Sequence, residues 1–421
     1  MKFLKLQTAL FTLFLGLLAF GLLSCSTAGV LLQTAPSKPK GAPASPSLQG
    51  YSLSEWELER AKVKSDLEHE VYGRLPSDFT TELVSLKALE AHSYSNAIIE
   101  ERLLKTWQPV EYMDDTAQPT EHDPIAVEYN AVIVRPANAS GPVPVIMMES
   151  FCPNHDVVPI SGISMPNNQY FSCHGEGLML RVFSYFFGRY IVTPPIEDIL
   201  ERGYALAVIY PSDTYSDNAE GFSPARRYAP SAENPWGAIG AWAFMFSSLN
   251  NHLKTDTAFS QTITYGHSRY GKAALLAAAF DGTIDAVISH QSGTGGASLS
   301  RDKKGETVDK IMQSYPHWFS SNYKADNKDL DQHQLLALIA PRPILLGNAS
   351  RDVWSDPEGA FRAAQGANPI YQLYGKAGLA QNKLTKFQPS NDIAFWIRRG
   401  THGIVKEDWP AFLEFLDAHI K

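Results

Sequence analysis

The sequence predicts the α/β class: a mainly parallel central sheet covered by helices on both faces, in three layers. Two patterns lead there. Short apolar runs rich in β-branched residues alternate with longer stretches of helical periodicity. Most of those short runs are apolar nearly throughout, as strands buried on both faces are.

From the N-terminus, Lys2 and Lys5 precede an uncharged apolar run, Ala9 to Leu23. It is short for a bilayer span and sits where a secretory h-region sits. It ends in Leu22-Leu23-Ser24-Cys25, which resembles the lipobox of bacterial lipoproteins; cleavage would remove residues 1–24 and leave Cys25 lipidated. The next residue, Ser26, is not Asp, and by that resemblance an outer-membrane lipoprotein facing the periplasm or the cell surface is expected. Residues 27–50 are rich in Pro, Ala, Ser and Gly and carry no acid, so 25–50 reads as a flexible tether and 51–421 as the folded domain.

Within 51–421 the expected elements are an opening helix (Glu55 to Val71), then strands Val127–Val134, Val143–Met148, Ala205–Tyr210, Thr262–Tyr265, Ala286–Ser289, Ile344–Leu346 and Ile393–Ile397. Helical patterns span Trp236–Leu253, Lys272–Phe280, Pro357–Ala364 and Trp409–Ile420. Phe151 to Pro195 is expected to be an irregular insertion that shapes a site. Cys152 and Cys173 are compatible with a disulfide or with two buried thiols.

Composition narrows the function classes. The 421 residues hold 36 Lys+Arg against 44 Asp+Glu, a net charge of −8, with 44% hydrophobic and 19% charged residues. That excludes a disordered chain and disfavours general nucleic-acid binding. Losing residues 1–24, with Lys2 and Lys5 and no acid, would leave 34 basic and 44 acidic side chains, a net of −10. No metal-ligand cluster, phosphate-cradling Gly loop or nucleotide motif is present, so no cofactor or metal is expected.

One strand–turn–helix carries chemistry: Ile263-Thr264-Tyr265-Gly266-His267-Ser268-Arg269-Tyr270-Gly271-Lys272. A small residue two before Ser268 lets the backbone turn sharply and present the hydroxyl at the carboxyl edge of the sheet, as in the nucleophile elbow of α/β-hydrolases. The alternative is a Ser that merely caps a helix. The generic elbow has Gly two residues after the Ser; here Tyr270 stands there and Gly271 follows.

Gly266-His267-Ser268-Arg269-Tyr270-Gly271-Lys272 resembles the elbow of the glucuronoyl esterases, carbohydrate esterase family 15, in its bacterial branch. Trp236-Gly237-Ala238-Ile239-Gly240-Ala241-Trp242 before it is similar to the same family. So are Ser292-Gly293-Thr294-Gly295-Gly296, Gly305-Glu306-Thr307-Val308, Asp331-Gln332-His333, Ala340-Pro341-Arg342-Pro343 and Asp352-Val353-Trp354-Ser355-Asp356-Pro357 after it. The resemblance covers about residues 124–421 and implies a serine esterase of 4-O-methyl-glucuronoyl (uronate) esters in plant cell-wall polysaccharide, acting as a monomer on a glucuronoxylan/lignin-type ester. Phe151-Cys152-Pro153 departs from the family pattern, with Pro153 where a Gly is usual.

An elbow Ser needs an acid and then a His, in that chain order. His402, in Arg399-Gly400-Thr401-His402-Gly403 after the last strand, is the expected base. Many family members carry a Glu where this chain has Gln291, and an amide cannot supply the charge. The other acid position holds Asp352 and Asp356; Asp356 precedes Pro357 and reads as a helix cap, so Asp352 is preferred. Arg269 is expected to meet the oxyanion through its N–H and, by resemblance, its guanidinium. The resemblance implies sugar-hydroxyl contacts from Lys272, Glu306 and Trp354. Two rival readings remain: a carboxylesterase such as an acetyl xylan esterase on the same fold, or a non-catalytic polysaccharide-binding lipoprotein.

Overall fold

The computed structural model describes residues 45–421 except 91–93, 95–96, 108–125, 169–172, 174–186, 229–233, 326 and 385. The expected signal segment, Cys25 and most of the expected tether lie outside the described residues. The end of the expected tether is packed. Ser45 Oγ donates to Asp331 Oδ2 (2.7 Å) and Leu48 is buried in the core, so the folded unit begins before Tyr51.

Among the described residues nine strands form one sheet: β1 (Thr80–Leu89), β2 (Ala97–Trp107), β3 (Ala126–Pro136), β4 (Val143–Glu149), β5 (Ala205–Ile209), β6 (Phe259–His267), β7 (Ala286–His290), β8 (Ile344–Ala349) and β9 (Ile393–Arg398). Their order is β1-β2-β3-β5-β4-β6-β7-β8-β9. From β5 to β9 every pairing is parallel, whereas β1, β2 and β3 join antiparallel at one end.

Side chains alternate across the pleat and both sides are apolar. Val145 and Met147 of β4 and Ala205, Ala207 and Ile209 of β5 enter one core; Ile146, Met148, Leu206 and Val208 enter the other. The first core is closed by α1 (Leu53–Leu67), α2 (Ala238–Leu253), α3 (Arg269–Phe280), α4 (Gln332–Ile339) and α5 (Pro357–Leu373). α6 (Asp408–His419) closes the second, with Trp409, Phe412 and Leu416. α2 is apolar around most of its circumference because it is buried almost end to end. This is the three-layer arrangement expected.

The β1–β2 hairpin was not legible in the sequence. β1 is an edge strand with almost every residue exposed, Leu83, Val84 and Leu86 among them, so it has no inward face to impose a period of two. α5 runs to Leu373, beyond the expected Ala364, and carries Pro369 within it.

The expected insertion after Phe151 is less separate than the sequence suggests. Its described part has a short helical turn, Asn154–Val157, and sends Cys152, Val157, Val158, Ile163, Ile191 and Val192 into the second core. Cys152 and Cys173 are disulfide-bonded, with their Cα atoms 5.8 Å apart and a sequence separation of 21. A cross-link over a loop of that size restricts the unfolded chain by about 3 kcal/mol. The Cys152→Ser/Cys173→Ser double variant is therefore expected to lower the urea midpoint of unfolding and to steepen the slope, because the chain without the cross-link unfolds to a more exposed state.

Candidate active site

Strands β6 to β9 are parallel neighbours, so their carboxyl ends open onto one edge of the sheet. Ser268 follows β6, Gln291 follows β7, Asp352 follows β8 and His402 follows β9. Residues distant in sequence thereby share one rim.

Ser268 has φ 58° and ψ −121°, in the region L-residues avoid. The turn is tight: a Cβ on Gly266 would collide with the Tyr270 carbonyl, and one on Gly271 would sit 3.0 Å from the Gly266 carbonyl oxygen. Gly271 is thus the glycine this elbow needs, one position later than in the generic motif. Ser268 occupies the cap position of α3, yet its side chain makes no capping bond, which removes the structural explanation for it.

His402 Nδ1 lies 2.7 Å from Asp352 Oδ2, and Asp352 is 2% exposed. Burial pushes the Asp352 carboxyl up, but the His402 charge and hydrogen bond and the Ser355 contacts outweigh it, leaving the group below its ordinary value. An ionised Asp352 accepts, so Nδ1 carries the proton and Nε2 is left as the basic nitrogen. Asp356 instead caps α5, accepting from the Gly359 N–H at 3.0 Å. Among the described residues no hydrogen bond yet joins the Ser268 hydroxyl to His402. Such contacts commonly tighten only with substrate bound.

The Arg269 guanidinium is ion-paired to Asp217 and lies over the Trp318 ring at 4.9 Å, with Phe151 and Tyr315 at 5.5 and 5.7 Å. Asp217 also accepts from Trp318 Nε1 (2.8 Å) and contacts His317 Nε2 (3.2 Å). The buried Arg269 Nε has no hydrogen-bond partner among the described residues. Asp217 was missed at the sequence level because it sits in a loop with no pattern to mark it.

Lys272 is buried and its ammonium donates to the Ser292 carbonyl. Burial pushes it down to about 7, against the attraction of Glu306. Burial likewise raises the Glu306 carboxyl, against Lys272 and Lys303. Glu306 N–H bonds the Trp354 carbonyl at 3.0 Å, so these two share one wall; Trp354 Nε1 is buried without a partner among the described residues. The structure therefore brings Lys272, Glu306 and Trp354 to the same rim as Ser268, with donors and an acceptor left over for a polar ligand.

Two buried histidines underlie the site. His267 and His290 pair through Nδ1 at 3.2 Å, and the His267 ring centroid is 4.6 Å from that of His402. Burial drives both well below the usual imidazole range, so they are neutral.

The sheet and this rim define the class: an α/β-hydrolase. A family model described as fungal glucuronyl esterase matches residues 228–375. A carbohydrate esterase designated MZ0003, from an unidentified prokaryote, is 32% identical over 394 residues, 88% of this chain and 86% of that protein. The 4-O-methyl-glucuronoyl methylesterase 1 of Wolfiporia cocos is 30% identical over 154 residues, 33% of this chain and 38% of that one. Among solved structures, a promiscuous CE15 esterase from a marine bacterial metagenome superposes with a TM-score of 0.73 at 30% identity, covering 92% of this chain and 98% of that chain. The glucuronoyl esterase of Solibacter usitatus follows at 0.71 and 27%, covering 92% and 99%. The chain belongs to carbohydrate esterase family 15, the glucuronoyl esterases, a family of carboxylic ester hydrolases.

Glu149 ends β4 at this same edge with both carboxyl oxygens buried and unbonded among the described residues. Burial holds its carboxyl well above the ordinary 4.5. The folded chain thus keeps a proton that the unfolded chain releases, and stability falls as pH rises past that value. Glu149→Gln should remove the fall: its Tm should gain on the wild type as pH is raised from about 4 to about 8. A parallel pair of Tm curves would contradict this.

Proposed function

We propose that this chain is a serine esterase that hydrolyses 4-O-methyl-glucuronoyl esters of plant cell-wall polysaccharide through an acyl-enzyme. The observation that carries the proposal is the Asp352–His402 hydrogen bond on the rim that also holds the strained, uncapped Ser268. His402 Nε2 takes the Ser268 proton as Oγ bonds to the ester carbonyl carbon. The oxyanion is met by the Arg269 N–H, one of the donors that the first turn of α3 leaves unpaired, and by the Arg269 guanidinium. His402 then gives its proton to the departing alcohol. Water, deprotonated by His402, attacks the acyl-enzyme, releasing the uronic acid and restoring Ser268. Asp352 stays ionised throughout and offsets the imidazolium.

Lys272 and Glu306 supply complementary partners to vicinal sugar hydroxyls, and Trp354 supplies an amphipathic wall with a free N–H. A glucuronoxylan–lignin ester fits these groups, acted on by a monomer anchored through lipidated Cys25 in the outer membrane and facing the periplasm or the cell surface. A wider ester range is a second reading, favoured by the similarity to a metagenomic esterase described as promiscuous.

Ser268→Ala should lower kcat/KM on benzyl glucuronate by about ten-thousand-fold or more. Asp352→Asn should lower kcat by about ten-thousand-fold, whereas Asp356→Ala should act on Tm, since it removes a cap worth about 1 kcal/mol. The reverse ranking of the two Asp variants would reject Asp352. Equal kcat/KM on benzyl glucuronate and p-nitrophenyl acetate would favour the wider esterase. Incorporation of an alkyne-palmitate label that is lost in Cys25→Ser tests the anchor.

A further inference from the structure

Gln291 stands where the sequence leads one to look for an acid, and its contacts assign it a different task. It is 2% exposed and has φ 51°, a conformation that a side chain other than Gly adopts only when its surroundings hold it there. Its backbone is fixed at both groups: the N–H donates to the Gly347 carbonyl at 2.8 Å and the carbonyl accepts from Ser355 Oγ at 3.2 Å. Its side-chain amide spans His402. Oε1 accepts from the Gly403 N–H at 2.8 Å, and Nε2 donates to the Thr401 carbonyl at 3.2 Å. The peptide groups on either side of His402 are therefore tied to one planar amide.

The polarity of those two bonds selects the residue. One partner is a donor and the other an acceptor, so an amide satisfies both; a carboxylate would accept from Gly403 and face the Thr401 carbonyl with like charge. Arg398, paired with Asp408, holds the same loop from the other side through the Thr401 and Gly403 carbonyls. It has no acceptor for the Gly403 N–H, so that bond belongs to Gln291. The Asp352 loop is connected as well. Ser355, bound to the Gln291 carbonyl, donates its N–H to Asp352 Oδ1 at 3.3 Å and places its hydroxyl 3.4 Å from His402 Nδ1.

We infer that Gln291 is a positioning residue, which locks the His402 loop to the Asp352 loop and sets the imidazole for proton transfer. It touches neither substrate nor reacting atoms and acts through His402. Its neutrality matters too. His402 faces the Asp352 carboxylate from the β8 loop, the half-buried Glu306, and the neutral His267 and His290, with Arg398 behind. A carboxylate at 291 would add a further negative charge on the β7 side.

The inference rests on the esterase reading for its kinetic part only. The test uses the full chain with Gln291→Met, which keeps the length and removes both bonds, and Gln291→Glu, which keeps one bond and adds charge. Gln291→Met should lower kcat by about 10- to 100-fold, as a small misplacement of a catalytic group does, with KM within about twofold of the wild type. In Gln291→Glu the acid limb of the kcat/KM profile should move to higher pH, because the added anion favours the imidazolium. Independently of turnover, the downfield proton resonance of the His402–Asp352 bond should be sharp in the wild type and shifted or broadened in Gln291→Met. Wild-type kcat and an unchanged resonance in Gln291→Met would overturn the inference, as would activity losses in both variants that only track loss of folded protein by circular dichroism. If the wild type hydrolyses no ester, the esterase reading fails, and the resonance alone decides Gln291.

Discussion

The hydrogen bond between Asp352 Oδ2 and His402 Nδ1 depends on almost everything else in the structure. It joins loops from two neighbouring parallel strands, so it exists only if β8 and β9 pair in their observed register, Ile344 opposite Ile393 through Ala349 opposite Arg398. A one-residue slip would send each side chain into the opposite core: Ile344, Leu346, Ile393 and Phe395 would leave one close-packed layer and Leu345 and Ala394 the other. Burial makes the bond consequential. A carboxylate removed from water is costly unless hydrogen-bonded, and Asp352 meets that condition through His402 and Ser355.

The same logic organises the rest of the rim. Arg269, half-buried, is held by its pairing with Asp217 and its stacking on Trp318, Phe151 and Tyr315. Lys272 and Glu306 are each shifted toward neutrality by burial and pulled back by the other. Charges held this way lose little solvation when a polar ligand arrives, since the protein has already stripped most of it. The neutral His267–His290 pair is packed beneath His402 and adds no competing charge to it. Cooperation between one rigid sheet edge and several desolvated ions is what a site for polarising an ester carbonyl requires.

Much of this was legible along the chain. The strands from β3 onward and the helices around the elbow follow from local periodicity, because each is buried on a predictable face. The Gly266–Lys272 turn carried its own steric signature, and the observed backbone at Ser268 explains the displaced glycine. Asp356 could be set aside as a cap from Pro357 and the helical run after it, a purely local argument. β1 was invisible because an exposed edge strand carries no burial pattern, and β2 because it buries the polar Glu101, Arg102 and Thr106 beside its apolar residues. Asp217, in an irregular loop, had no signal at all.

By itself, then, the sequence determined the layer architecture, the elbow and the chemical types available at the carboxyl edge, since these depend on neighbours within a turn or a strand. Only the tertiary structure decided which groups meet. Asp352 reaches His402 across 50 residues, and Gln291 reaches Gly403 across 112. Arg269 finds Asp217, and Cys152 finds Cys173. Each of these pairings depends on strand order and on loops closing over the sheet edge, and side-chain periodicity carries no information about either. Gln291 shows the difference best: read along the chain it is a missing charge, and in the fold it is the amide whose donor and acceptor match the two peptide groups flanking His402.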